Sequence, residues 1–307
     1  MSKPNLRKRY YPLWWLLQGI SALPFPVLYF LASGIYGLLY YVFGYRKKVV
    51  LQNLRNSFPA KPETEIKLIA KKFYHNLADI IVEILKLGSI TKAEIGQRVQ
   101  YENPELMRAY LDKGMTVITL GSHAGNWEWG LASSACFFKE PADGVYKPLS
   151  NEFFEIYMRF LRSRLQANPV KMKDVLRHLL KHRNEPRLLA LLSDQTPPGG
   201  EIQYWTNFLN QDTPFYVGAD KLADAFKYPV VFIGVTRTGR GYYKFSFELL
   251  RAAGAVEKAS EYLITEAYAR TLEKWVQRYP ADYLWSHRRW KHKRQQVAEH
   301  QAGQPPA

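Results

Sequence analysis

His123 and Glu128 are the residues whose types and spacing first suggest chemistry. They lie in the run Gly121-Ser122-His123-Ala124-Gly125-Asn126-Trp127-Glu128. The apolar stretch before it, Met115–Leu120, reads as a buried strand. Asn126 reads as the N-cap of a helix running to about Phe138. His123 then sits in a strand-to-helix turn, and Glu128 falls in the first turn of the helix. That spacing lets a carboxylate reach one imidazole nitrogen while the other faces a substrate hydroxyl. Histidine as a residue type can act as a base at neutral pH. A carboxylate beside it fixes the tautomer and stabilises the imidazolium that forms, as in a catalytic triad. The nucleophile can be the acceptor's own hydroxyl. On spacing alone, a histidine that only caps a turn fits equally well.

Competing chemistries meet obstacles. A serine-hydrolase elbow, G-x-S-x-G, needs serine at its centre; here the centre of Gly121–Gly125 is His123, and Ser122 is displaced by one. Zinc is disfavoured because no H-E-x-x-H occurs. His178 and His182 are four apart, but Leu179, Leu180 and Lys181 lie between them, so the pair reads as a solvated helix face. Neither a metal nor another cofactor is expected. The C-terminal run His287–Arg294 (HRRWKHKR) is basic enough for nucleic acid, with Trp290 as a stacking platform. An apolar segment elsewhere in the chain makes anionic lipid the simpler target.

That segment is N-terminal. No charged residue occurs from Tyr10 to Tyr45, and Arg7, Lys8, Arg9 and Arg46, Lys47, Lys48 flank the stretch. It exceeds the roughly 20 residues that a span requires. Pro24 and Pro26 break it near its middle, so it reads as one kinked span, or as a short helix followed by a second that lies in or dips into the bilayer. Trp14, Trp15, Tyr40 and Tyr41 suit that interface. A cleaved signal peptide fits poorly, because the run is too long and lacks a small-x-small cleavage site. Basic residues on both flanks leave the orientation undecided. The chain of 307 residues has 43 Lys and Arg against 27 Asp and Glu, a net charge of +16. Its partners should therefore be acidic. One cysteine, Cys136, allows no intrachain disulfide.

The elements that must position the pair alternate in type. Helical spacing is predicted over 49–87, with Pro59 and Pro62 as punctuation, in a short helix opened by Pro104, and over Glu152–Leu165, Val175–His182, Ala219–Phe226 and Ser260–Arg278. Strands are predicted at Gly144–Tyr146, Arg187–Leu192, Val230–Val235 and Tyr243–Leu249, the last with strict alternation. Pro197, Pro198, Gly199 and Gly200 force a loop. This order predicts an α/β fold with a mostly parallel central sheet flanked by helices, and functional loops at the strands' carboxyl ends. The expected organisation is a membrane anchor over 1–48, a catalytic domain over 49–295 and a disordered polar tail over 296–307.

The run G-S-H-A-G-N-W-E resembles the H-x4-D/E block of glycerolipid acyltransferases, in the form found in bacterial lipid A biosynthesis acyltransferases. Other blocks match in order. Val145-Tyr146-Lys147-Pro148-Leu149-Ser150-Asn151 looks like that family's V-Y-[RK]-P-L-x-N, and Arg162-Ser163-Arg164 looks like its R-x-R. Ser193-Asp194-Gln195 is similar to its A-D-Q segment. Leu284–Lys291 resembles its W-x-H-R-R-[FW]-K. Gly44–Leu54 also fits, so the resemblance covers nearly the whole chain. Departures follow the R-x-R block, at Leu165 and Gln166, and the D-Q segment, at Thr196-Pro197-Pro198-Gly199. Another lies at Phe208–Pro214, where the family often has F-F-G. They put the acceptor in doubt more than the reaction.

The resemblance implies an O-acyltransferase with a glycerolipid-acyltransferase-like sheet. His123 would be the general base and Glu128 its partner. Lys147, Arg162 and Arg164 would bind acceptor phosphates or stabilise the oxyanion. Asn151 and Gln195 belong to the same matching blocks and count as substrate-binding candidates. Asp194 either orients one of the arginines or caps a turn. The donor would be acyl carrier protein, whose acidity suits a basic face, with a coenzyme A thioester still open. The acceptor would be a lipid A precursor, or another glycolipid such as a phosphatidylinositol mannoside. The expected location is the cytoplasmic face of a bacterial inner membrane, with no nucleic-acid partner.

Overall fold

Leu120 and Ile118 are buried on one face of a sheet while Val117 is buried on the other. Coverage on both faces is what lets so apolar a run be a strand. A computed structural model of the protein describes residues 6–255 and 262–294. Its strands are β1 (Val99–Tyr101), β2 (Val117–Gly121), β3 (Ala142–Tyr146), β4 (Asn168–Lys171), β5 (Leu188–Leu192), β6 (Tyr204–Phe208), β7 (Gln211–Phe215), β8 (Val230–Gly239) and β9 (Tyr242–Arg251). Seven of them form one sheet in the order β1-β9-β8-β2-β5-β3-β4, and β6 and β7 form a separate hairpin. Strands β8, β2, β5, β3 and β4 are mutually parallel; β9 runs antiparallel to β8, and β1 is parallel to β9. The expected mixed α/β fold with a mostly parallel sheet is present.

The helices are α1 (Tyr11–Ala22), α2 (Phe25–Gly37), α3 (Lys47–Ser57), α4 (Glu63–Lys86), α5 (Lys92–Arg98), α6 (Glu105–Leu111), α7 (Trp127–Phe137), α8 (Glu152–Ser163), α9 (Val175–Lys181), α10 (Gly218–Phe226) and α11 (Leu263–Arg278). One sheet face packs Ile118, Leu120, Leu189 and Phe232 against α9, α10, α11 and the first half of α4. The other packs Val235, Tyr243 and Phe245 against α7 and α8, with α6 further along the same face.

The N-terminal apolar run resolves into two helices. Leu23 and Pro24 are extended, ending α1 and opening α2, because proline cannot continue the first helix. Past α2, Leu38–Val42 forms a π-helical turn. Leu28 and Ala32 of α2 bury against Ala78 and Val82 of α4; a fully buried leucine contributes roughly 1.5–3 kcal/mol. Trp14 of α1 stands edge-on to Tyr157 of α8, with ring centroids 5.3 Å apart. The other sides of these helices expose Trp15, Leu16 and Phe30, Phe30 at 79 %, and Phe43 is exposed just past the π-helical turn. Among the described residues, Phe25–Val42 is the one helical stretch long and apolar enough to cross a membrane.

The structure adds elements that periodicity did not predict. Helix α5 opens on a reciprocal cap in which the Thr91 hydroxyl accepts from Glu94 N–H and the Glu94 carboxylate accepts from Thr91 N–H. Strands β1 and β4 lie at the sheet edges and are too short to show a period, and the β6–β7 hairpin follows the proline-glycine loop. The tail expected to be disordered from Gln296 lies outside the described residues.

Candidate active site

Strand β2 ends at Gly121, and the chain turns through Ser122–Gly125 into α7. Gly125 has φ +58°, and a Cβ there would come within 2.7 Å of Val235 Cγ1. Both facts require glycine. Asn126 Oδ1 accepts from Trp129 N–H (3.0 Å), capping α7. The Asn126 amide donates to the buried Glu83 carboxylate (2.9 Å), which also accepts from Tyr243 Oη (2.6 Å). Ala124 makes an antiparallel bridge to Tyr283. The turn carrying His123 is thereby fixed by α4, β9 and the C-terminal segment.

His123 is held by Asp194. Nδ1 lies 2.7 Å from Asp194 Oδ1, and the backbone N–H of His123 donates to Oδ2 (3.0 Å). The reason is register. Strands β2 and β5 are parallel neighbours with Gly121 opposite Leu192. His123 and Asp194 each lie two residues past those partners, so they meet. Burial pushes the Asp194 carboxyl up, but the His123 imidazole and backbone N–H outweigh it and hold it below the ordinary aspartate range. An ionised Asp194 requires Nδ1 to carry the proton, leaving Nε2 as an acceptor. The Gln195 amide donates to Nε2 (3.2 Å). The Trp127 ring stands edge-on to the imidazole, with centroids 5.0 Å apart.

Glu128 takes a different partner. It accepts from Arg162 Nε (2.8 Å) and Nη2 (2.5 Å) in a two-point pair. Trp127 occupies the position beside His123. One residue on, a helix has turned by about 100°, which points Glu128 toward α8. Burial works against the charge on Arg162, but Glu128 outweighs it and raises its pKa. The guanidinium also lies over the Tyr146 ring, 5.3 Å from its centroid.

Behind Asp194 lies a second layer. Arg289 is 1 % exposed; its carbonyl accepts from Thr196 Oγ1 (2.5 Å), and its guanidinium sits 4.5 Å from the Phe215 ring centroid. Burial holds His287 down to about 4. It is neutral at physiological pH and accepts from Thr196 N–H (3.3 Å).

A cavity of about 320 Å³ lies between the sheet and α7. His123, Gln195, Glu128, Arg162 and Lys147 line one part of it; Leu131, Ala190, Ile233, Phe245 and Phe247 line the apolar remainder. Gly144 is part of the wall, and a Cβ there would reach within 2.3 Å of Leu131 Cδ2. Of the residues singled out from the sequence, these five converge on the cavity and Asp194 backs them. Two do not converge. Asn151 caps α8 by accepting from Phe154 N–H (3.1 Å). Arg164 donates from Nε to Leu87 O (2.8 Å) and from Nη2 to Ile90 O (2.5 Å), tying α8 to the end of α4. Sequence reasoning passed over Trp127 and the second layer of Arg289 and Tyr283; the block Leu284–Lys291 was the available signal for part of it.

A histidine with a carboxylate behind it thus lines a cavity whose walls are in part apolar. The sequence profile of a family described as bacterial lipid A biosynthesis acyltransferase matches residues 3–292. The chain belongs to that family, whose members are acyltransferases of lipid A biosynthesis. A search of curated proteins finds no match.

Proposed function

We propose that this protein moves a fatty acyl chain from a thioester onto a hydroxyl of a lipid A precursor or a closely related glycolipid. One observation carries the reading: Asp194 engages His123 Nδ1 at 2.7 Å, while Nε2 faces a cavity with an apolar interior. His123 Nε2 takes the proton of the acceptor hydroxyl as its oxygen attacks the thioester carbonyl. The C–S bond breaks, and the imidazolium returns the proton to the leaving thiolate. Asp194 keeps the tautomer and stabilises the cation. The acceptor hydroxyl displaces the Gln195 amide from Nε2, freeing it to donate to the developing oxyanion. Arg162, oriented by Glu128, and Lys147 bind phosphate or the oxyanion. The acyl chain occupies the space under α7.

The donor is acyl carrier protein in preference to acyl-coenzyme A, given the charge of +16 and the acidity of such carriers. Residues 1–48 seat the protein on the cytoplasmic face of the inner membrane, with the exposed aromatics of α1 and α2 in lipid and the flanking basic residues at headgroups. The full-length protein should therefore stay in the membrane fraction through carbonate and high-salt washes; release by either would remove that reading. The reaction is tested with purified wild type and His123→Ala, acyl carrier protein thioester and a lipid A precursor. Mass spectrometry should show one added acyl group with the wild type alone. Equal product from His123→Ala would end this assignment.

A further inference from the structure

The structure carries a second ordered pattern, outside the cavity and beside its mouth. Met172 lines the cavity and opens a turn, Met172–Asp174, that runs directly into α9. Two stripes descend from there with a spacing of four. Met172, Leu176 and Leu180 are exposed at 45 %, 55 % and 54 %. Lys173, Arg177 and Lys181 are exposed beside them, and among the described residues none of the three lies within salt-bridge distance of a carboxylate. Positions four apart share one helix face, so these side chains form one apolar strip and one cationic strip. Between 172 and 181 the one acidic residue is Asp174, which is half-buried. The inner face of α9 is accounted for, because Val175 and Leu179 pack into the core. A helix of this length spans about 10 Å, so the whole face lies close to the mouth.

We propose that this face of α9 docks the acidic carrier protein that delivers the acyl thioester. The proposal rests on the donor reading above and adds where the donor sits. Two observations favour an acidic protein over the lipid surface. Among the described residues the cationic strip makes no salt bridge, Glu185 acting on Lys181 only from beyond that distance, and it is complementary to an acidic partner. In addition, the strip begins at Met172, which lines the cavity that the acyl chain must enter. The apolar strip supplies the contact that remains when salt screens the charges.

The test uses the full-length protein in detergent with the triple variant Lys173→Glu/Arg177→Glu/Lys181→Glu. Two donors are compared: acyl carrier protein and coenzyme A carrying the same acyl chain. Binding of unacylated, fluorescently labelled carrier protein is followed by anisotropy. The expected result is a KM for the carrier donor raised about tenfold or more with kcat retained, weaker carrier binding, and coenzyme A turnover within about twofold of wild type. Raised salt should narrow the gap between the proteins on the carrier donor. Unchanged carrier binding would overturn the proposal. So would a loss shared equally by both donors that appears with acceptor in anionic vesicles and vanishes in uncharged micelles, since that would give the face to the bilayer. His123→Ala should bind the carrier as wild type does while losing turnover, so failure of the docking surface and failure of the active site are read separately. Should the triple variant lose its fold, Leu176→Ser/Leu180→Ser reads the same binding through the apolar strip.

Discussion

Two histidine–aspartate pairs stand at opposite ends of the same sheet, and both have an N···O distance of 2.7 Å. At the carboxyl ends of β2 and β5, His123 bonds Asp194; near the amino ends of β3 and β5, His178 of α9 bonds Asp143. The difference lies in what else claims each carboxylate. Asp194 serves the imidazole and the backbone N–H of His123. Asp143 is shared among His178, the buried Arg187 (2.8 Å) and Asn168 (3.1 Å). The outward-facing atoms differ too. His123 lines the cavity and its Nε2 meets the neutral Gln195 amide (3.2 Å), whereas Nε2 of His178 is consumed by Asp143, with Arg187 Nη1 at 3.1 Å. A histidine–carboxylate contact is therefore insufficient to mark a base. The carboxylate must be free of direct hydrogen bonds to other cations, and the second nitrogen must face bound substrate.

The largest effect should separate the two histidines. His123→Ala should lower turnover on the order of 10²–10⁴-fold while remaining folded, since removing a general base costs about that much. His178→Ala should leave turnover near wild type and lower the melting temperature. Steady-state rates and thermal melts on both proteins measure this, and a His178→Ala enzyme as dead as His123→Ala would erase the distinction.

The aspartates should divide in the same way. Asp194→Asn removes the acceptor that fixes the Nδ1–H tautomer and should cost about 10²-fold or more in kcat. Its depressed carboxyl adds stability that is present above the ordinary aspartate pKa and is lost as pH falls through the folded value. Asp194→Asn should accordingly lose less melting temperature on acidification toward pH 3 than wild type does. Asp143→Asn leaves the buried Arg187 with the exposed Glu185 as its charged partner, which costs up to roughly 3–5 kcal/mol, and should appear as a lower melting temperature with specific activity retained. Reversal of the two outcomes would place the base at the wrong end of the sheet.

Much of this arrangement is legible in the sequence, and the part that is not has a physical cause. Met115–Leu120 and Arg187–Leu192 announce buried strands, and Asn126 caps α7 as its position suggests. Local spacing points from His123 to Glu128, five residues along the chain, because such spacing is what a single sequence displays. The true neighbour comes from a parallel strand 71 residues away. A trace of it exists: Gly121-Ser122-His123 and Leu192-Ser193-Asp194 each end an apolar strand with the functional residue at the same offset. Only the register of β2 against β5 turns that into a contact. Short edge strands such as β4 carry too few residues for a period to show.

A smaller effect tests the second carboxylate at the cavity. Glu128 orients Arg162 and does not touch His123. Glu128→Gln should lose about tenfold to a hundredfold in kcat/KM, the worth of a charge-assisted contact of roughly 1.5–3 kcal/mol. The loss should fall mainly on the KM for the phosphorylated acceptor, and the acid limb of the pH–rate profile should stay in place. A shifted acid limb would return Glu128 to the imidazole.

The smallest effect belongs to Arg164, and it inverts what the motif implies. The motif puts Arg164 on substrate phosphate. Here its guanidinium spans two backbone carbonyls, Leu87 O and Ile90 O, at the end of α4. Lysine can reach one of them and keeps the charge, but it lacks the fork that satisfies both. Arg164→Lys should therefore lower stability by about 1 kcal/mol, one hydrogen bond's worth, with turnover within about twofold of wild type at saturating and limiting acceptor. Arg162→Lys, two residues earlier on the cavity wall, breaks a fork of the same kind on buried Glu128, so it should lose stability as well and, unlike Arg164→Lys, lose kcat/KM for the acceptor. A folded Arg164→Lys protein with a hundredfold deficit at limiting acceptor would show that this guanidinium leaves the carbonyls to meet the substrate.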